Sequence, residues 1–348
     1  MAYTTINKST DHFNTKLHTG NGAEQAITGV GFQPDWTWIK KRNNTAVHYL
    51  FDAVRGATYF LNSDQTYTNQ DNAQSLKSFD SDGFTLGTMA GANNSSDTFV
   101  SWNWKANGAG SANTDGSINT TATSVNTTAG TSIIKYSGNG SAGATIGHGL
   151  GVAPKCVIIK RTDTTSNWIF GHEPLGFNKF LYLNTQDQVT TNAGAFNDTA
   201  PSSSVITLGS WNDVNNSSGT YICYAFAEKQ GFSKFGQYKG NGNANGPFIY
   251  TGFKPAFVFC RFIDAANGYD FVMIDNKRPG YNVTQNILEA NTNDAENTNS
   301  NFKFDFLSNG FKFRGTESNF NDTNYDYIYW AIAEAPLVGS NNIPANAR

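Results

Sequence analysis

Residues 19–22 read TGNG, and the same spelling returns as SGNG at 137–140 and KGNG at 239–242. Gly-Asn-Gly suits a tight turn, because Gly and Asn tolerate positive φ. A phosphate-cradling glycine loop would need a strand before it and a helix start after it. The residues that follow are AEQAITGVGFQP, SAGATIGHGLGVAP and NANGPFIYTGFKP, and none opens a helix. The tetrapeptide therefore reads as punctuation in an internal repeat, and the repeat decides the architecture.

Six further landmarks follow each turn in the same order. A Gly-x-x-Pro comes first, as GFQP (31–34), GVAP (151–154) and GFKP (252–255). An apolar run is next: DWTWIKKR, KCVIIKR and AFVFCRF. Then come YLFDAVRG, WIFGHEPLG and FVMIDNKRPG, and after a short Leu-containing segment SDGFTLG (81–87), SSVITLG (203–209) and SNGFKFRG (308–315). Each unit closes on an aromatic stretch, DTFVSWNWK, GTYICYAFAE or NYDYIYWAIAE. From Pro34 to Trp104, Pro154 to Phe226 and Pro255 to Ile332 the separations are 70, 72 and 77 residues. The boundaries that result are an N-terminal arm 1–15, unit 1 at 16–106, a Gly/Ser/Thr/Asn-rich linker 107–132, unit 2 at 133–230, unit 3 at 231–337 and a C-terminal tail 338–348. TSVNTTAGTSIIKY (123–136), which begins in the linker and runs into unit 2, has the character of an added extended edge segment.

Alternation along the closing strand places Val100/Ile222/Ile328, Trp102/Tyr224/Trp330 and Trp104/Phe226/Ile332 on one uniformly apolar face. The post-proline strand is apolar on both faces, which predicts a central strand covered on both sides. The expectation is an all-β chain of three tandem β-sandwich-like repeats, each about 100 residues long.

Composition agrees and excludes several function classes. Charged residues are 15%, aromatics 14%, and Gly numbers 34, a mixture that favours strands and tight turns over long helices. With a net charge of −3 and no basic run longer than KKR at 40–42, a nucleic-acid partner is not expected. No apolar run approaches the roughly 18–20 residues that span a bilayer, and MAYTTINKSTDHFNTK lacks the apolar core of a signal peptide. A soluble chain without membrane insertion is expected. Cys156, Cys223 and Cys260 have no C-x-x-C spacing and read as small buried hydrophobes rather than disulfide or zinc ligands.

Candidate chemistry is sparse. A cation ends each post-proline strand (Lys40, Lys160, Arg261), and Asp52 and Asp275 follow in two units ahead of RG or RPG. Gly171-His172-Glu173 stand there in the middle unit. A Lys–Asp catalytic pair degraded in one copy is one reading; a structural salt bridge or turn cap is the favoured one. Residues unique to one copy, His48, His148 and Glu173, form no hydrolase elbow, zinc motif or carboxylate pair. The loops GANNSSD (91–97), NDVNNSSG (212–219) and NFNDTNYD (319–326) carry oxygen ligands that calcium uses, but Asx-turn chemistry accounts for them. The expectation is no enzyme, with no catalytic, cofactor-binding or metal-binding residue assigned and no ligand-binding residue selected.

The segments FNTKLHTGNGAEQAITGVGFQPDWTWIKKR, FDSDGFTLG, FAEKQGFSKFGQYKGNGNANGPFIYTGFKPAFV and YIYWAIAEAPLVGSNNIPANAR together resemble a repeat of tailed-phage proteins, those of marine and cyanobacterial phages especially. The resemblance runs from Phe13 to Arg348. It implies a virion structural or tail-fibre-like component, assembled in the host cytoplasm and carried on the virion exterior. Its partners would be other tail or capsid proteins and a host-surface glycan, and a homo-oligomer, by fibre analogy a trimer, is implied. A receptor-binding protein is the leading expectation. The alternatives are a capsid decoration protein docked through the N-terminal arm, and a polysaccharide depolymerase.

Overall fold

The computed structural model describes residues 2–264 and 268–344. Its regular structure is almost entirely strand, in antiparallel sheets. Three large sheets share one strand order. In the first, Phe13–Thr19 lies beside the closing strand Thr98–Trp104, then the post-proline strand Trp36–Lys41, then Tyr49–Asp52, Tyr59–Leu61 and Gln70–Asp71. The second repeats this with Thr131–Ser137, Thr220–Phe226, Cys156–Arg161, Trp168–His172, Lys179–Tyr182 and Thr190–Thr191. The third has Ser233–Lys239, Asp326–Pro336, Phe253–Phe262, Val272–Asp275 and Leu288–Glu289. Every post-proline strand is thus central, as its two apolar faces require.

Register confirms that the landmarks are structurally equivalent. Trp36 lies opposite Trp104 and Asp52, Cys156 opposite Phe226 and His172, and Phe257 opposite Ile332 and Asp275. A smaller sheet accompanies each large one: Gln25–Thr28 with Gly83–Leu86 and Leu76–Asp80, then Thr145–Gly147 with Val205–Thr207, then Phe248–Tyr250 with Gly310–Phe313 and Phe304–Leu307.

The all-β expectation holds, but the units are not independent sandwiches. The uniform apolar faces of the three large sheets converge on one core that contains Trp36, Trp38, Trp102, Trp104, Ile158, Tyr224, Phe226, Phe257, Phe259 and Trp330. Each pair of sheets is in ring contact. Trp36 and Tyr224 stack with centroids 4.6 Å apart, Phe226 and Trp330 lie at 4.4 Å, and Trp104 and Trp330 stack at 5.6 Å. The opposite face of each large sheet packs on its own small sheet, giving three outer clusters centred on Phe84, Ile206 and Phe311. Aromatic rings fill the middle because three sheets facing one axis leave a wide space, and bulky rings bury the most apolar area there.

Two boundary expectations change. The stretch 107–132 is not a bare linker: Ala122–Asn126 adds an edge strand to the second large sheet, and Ile118 bridges to Ile146. The arm 1–15 is not free either. Ile6 is buried in the central core, the Tyr3 hydroxyl donates to Gly252 O at 2.7 Å, and the strand begins at Phe13. Of the tail 338–348, residues 345–348 lie outside the described residues.

The repeated Gly-Asn-Gly turn has a partner in the Asn-rich loop before each closing strand. Asn215, fully buried, accepts from Asn139 N at 2.9 Å and donates to Ser141 O at 2.8 Å and Gly209 O at 3.1 Å. Asn93 makes the same three bonds to Asn21 N, Ala23 O and Gly87 O, and Asn321 to Asn241 N, Asn243 O and Gly315 O. One amide per unit therefore clamps the turn to the glycine that ends the ITLG-like strand. The first glycine of each turn has to be glycine, since a Cβ on Gly20, Gly138 or Gly240 would lie 2.1, 2.4 or 2.2 Å from a backbone oxygen of the clamp loop.

Candidate functional site

The cations that end the post-proline strands are buried and reach across to a neighbouring unit. Lys40 Nζ donates to Asp294 O at 2.6 Å and Asn293 O at 3.3 Å in unit 3. Lys160 Nζ donates to Thr66 O of unit 1 at 3.1 Å and to Ser166 O at 2.7 Å. Arg261 Nη2 donates to Asp187 O of unit 2 at 2.8 Å. The three links run in a ring, first unit to third, second to first and third to second. Burial lowers Lys40 to about 8, Lys160 to about 7 and Arg261 to about 10. Carbonyls accept from all three cations, which tie loops of neighbouring units together.

Asp52 and Asp275 do not pair with these cations. Asp52 Oδ2 lies 2.5 Å from Arg55 Nε and its Oδ1 accepts Arg55 N at 2.8 Å, which makes it ion partner and turn cap at once. Asp275 repeats both contacts with Arg278, at 2.6 Å and 3.0 Å. Each carboxylate also receives a donor from a neighbouring sheet in the central core. Tyr224 Oη donates to Asp52 at 2.7 Å, and Trp102 Nε1 donates to Asp275 at 3.1 Å. In unit 2, His172 occupies this place with its Nε2 3.1 Å from Tyr329 O, and burial lowers it to about 3, so the ring is neutral. The structural reading of these residues is the one the geometry favours.

The residues unique to one copy do not meet. His48 is fully buried, accepts from Trp38 Nε1 at 2.8 Å and faces Glu289 O at 2.9 Å; burial holds it well below the usual imidazole range. The His148 ring accepts from Leu150 N at 3.1 Å and faces Ser202 O. Glu173 sits at the surface against Lys155. Asp97, the acid of the first Asn-rich loop, is taken by Lys41 at 2.6 Å and by Asn43, Asn44 and Asn94, which hold its carboxyl far below the usual range. Among the described residues no three His, Cys, Asp or Glu side chains converge as a metal-binding group. Cys156, Cys223 and Cys260 are buried thiols.

Among the described residues, the cavity most like a site lies on unit 3, where no ligand-binding residue was selected from sequence. A surface cavity of about 410 Å³ is lined by Lys254, Asn276, Tyr281, Phe306 and Glu334 among others. The loop from Arg278 to Leu288 that forms one wall is about four residues longer than its counterpart from Arg55 to Leu61 in unit 1. Tyr281, within that extension, is 83% exposed. Asn282 pins the wall by exchanging two bonds with the Phe306 backbone, at 2.8 and 2.9 Å. Glu334 Oε2 receives Lys254 Nζ at 2.7 Å and Asn276 Nδ2 at 2.9 Å. On the strand Phe248–Tyr250 of the same unit, Phe248 and Tyr250 both face solvent. Their counterparts are Ala26 and Thr28 in unit 1, and Thr145 and Gly147 in unit 2. Exposed aromatics are thus concentrated where the other units carry small residues. The sequence signal was the longer 77-residue spacing of the third unit.

No curated protein and no solved structure matches the chain. The model of one family covers residues 8–336, and the chain belongs to that family, described as Domain of unknown function (DUF7483).

Proposed function

We propose that the chain is a non-catalytic structural protein of a phage virion, carried on the particle exterior, that attaches to host-surface glycan as a tail-fibre or receptor-binding component. The observation that carries this reading is the set of exposed aromatic side chains on unit 3, Phe248, Tyr250, Tyr281 and Tyr325, against Tyr59 and Tyr67 on unit 1, together with the polar cavity that Tyr281 lines. Large exposed rings on a folded β-protein mark a contact surface. The resemblance to tailed-phage repeats supports the setting. A depolymerase draws no support, because His48, His148 and Glu173 have separate partners. Head decoration through a docking arm draws less, because Ile6 is buried in the central core. The aromatic surface belongs to one unit, so avidity would come from several copies on the particle, a homo-oligomer included, and not from the repeats within a chain.

Virions labelled with an antibody against the chain test the placement: label at the tail or fibre tips is expected, while label over the head would overturn it. The purified chain is expected to adhere to host cells and to leave soluble host polysaccharide at its original length. Shortened polysaccharide would make the protein an enzyme.

A further inference from the structure

The cavity on unit 3 is built for a particular ligand chemistry. Both contacts to Glu334 fall on Oε2, which leaves Oε1 to accept from a ligand. The Asn276 amide is oriented by that carboxylate, since its Nδ2 donates to Glu334 while an amide oxygen there would be repelled. Its Oδ1 is consequently turned away and has no hydrogen-bond partner. The Asn276 oxygen is buried, so the acceptor the wall offers is Glu334 Oε1, and it asks the ligand for a donor. Lys254 is already paired with Glu334, and the remaining cation at the rim, Lys277, is exposed to solvent. A phosphate or carboxylate ligand, which brings only acceptors, would face Glu334 unfavourably. A peptide would need exposed backbone partners, and an apolar ligand would cover Glu334 Oε1 without giving it a donor.

A ring with hydroxyls on its edge and C–H groups on its face meets all of these demands. Tyr281 is exposed enough to present its ring as a platform to such a face, and about 410 Å³ lies at the smaller end of ligand cavities, roughly 300–1,000 Å³. The wall is pre-formed, because Asn282 is bonded at both ends to the Phe306 backbone. In unit 1, Gln33 replaces Lys254 in the Gly-x-x-Pro motif, and in unit 2 Ala153 does, so the Lys–Glu–Asn arrangement is peculiar to unit 3.

We infer that this cavity is a saccharide subsite for a neutral pyranose, with Tyr281 stacking on the sugar's C–H face and Glu334 Oε1 accepting from its hydroxyls. The inference rests on the attachment reading and deepens it by naming the ligand class and the side chains.

The test uses the full-length chain and saturation-transfer NMR with the methyl glycosides of glucose, galactose, mannose and N-acetylglucosamine, and with glucuronate as the anionic arm. At least one neutral glycoside is expected to bind in the millimolar range, as a single sugar with few contacts should. Tyr281→Ala and Glu334→Gln are each expected to weaken that binding tenfold or more; the unfolding curve should stay unchanged in Tyr281→Ala, whose side chain is exposed, and move little in Glu334→Gln, whose ion pair with Lys254 is partly open to solvent. Binding confined to glucuronate, binding unchanged in both variants, or no binding of any neutral glycoside would overturn the subsite. Host-cell adherence of the same proteins separates the two levels. Adherence by wild type and both variants alike leaves the attachment reading standing without this subsite, whereas a wild type that does not adhere overturns the reading itself.

Discussion

Replacing Asn215 by alanine removes a clamp whose worth can be counted from its partners. The side chain is fully buried and makes three bonds, to Asn139 N, Ser141 O and Gly209 O. Ser141 O keeps a second donor, Ala144 N at 3.2 Å. The Asn139 N–H and the Gly209 carbonyl lose the partner the clamp supplied. A stranded backbone group costs about 1–3 kcal/mol, and some water will reach the gap, so the expected loss is about 3 kcal/mol. Asn215→Asp is the sharper probe. It keeps the shape, but at neutral pH it points a carboxylate at two carbonyls that need a donor. Aspartate should therefore destabilise more than alanine at pH 7, and protonation should recover part of the difference in acid. Urea unfolding followed by tryptophan fluorescence reads both, with Trp211 beside the clamp loop as a near reporter. An N215A cost below about 0.5 kcal/mol, or an N215D protein as stable as wild type at pH 7, would refute the clamp.

Asp52→Ala leaves the Arg55 guanidinium buried without its counterion and Tyr224 Oη without its acceptor, so a loss of about 3–5 kcal/mol is expected in chemical denaturation. Glu289 is raised to about 8 by burial and by nearby Asp270 and Asp294, and its contacts with Thr292 and Asn319 are long, at 3.5 and 3.4 Å. The folded chain then holds a proton that the unfolded chain has released, so stability should fall as pH rises from about 4.5 to about 8. Glu289→Gln should flatten that slope and stabilise the protein at pH 8 by on the order of 2 kcal/mol, the shift being discounted for partial exposure; an unchanged pH–Tm profile would remove Glu289 as its source. The three cysteines are buried and their thiols are pushed up by desolvation, Cys260 to about 12. They should react with a thiol reagent only as fast as the chain unfolds, and an immediate stoichiometric reaction would contradict their placement.

Much of the fold was legible because strand faces alternate. Val100, Trp102 and Trp104 and their counterparts lie together in the core, and the two-sided hydrophobicity of Trp36–Lys41 marks a central strand. Alternation says that a face is buried without saying against what, so the convergence of three faces on one core could not be read from it. The clamp was half visible: the Gly-Asn-Gly turn and the Asn-rich loop were both evident, but their pairing is a contact between residues more than 70 positions apart. Lys40, Lys160 and Arg261 were visible as a repeated cation, while their carbonyl partners belong to other units and carry no side-chain signature. A salt bridge or turn cap at Asp52 and Asp275 was legible from the acid ahead of RG or RPG, but its partner was sought in the strand-ending cation and not in Arg55 and Arg278. On unit 3, the extra loop length around Tyr281 was the trace of the cavity, and its wall needs Lys254 and Glu334, which only the fold brings together.

The central claim is that the three repeats form one body through a shared aromatic core. Scanning calorimetry of the full chain tests it most directly. One transition whose calorimetric enthalpy equals the van't Hoff enthalpy is the predicted result, and Trp330→Ala should shift that whole transition downward. A calorimetric enthalpy about three times the van't Hoff value, with the tryptophan substitution displacing only one component, would contradict it.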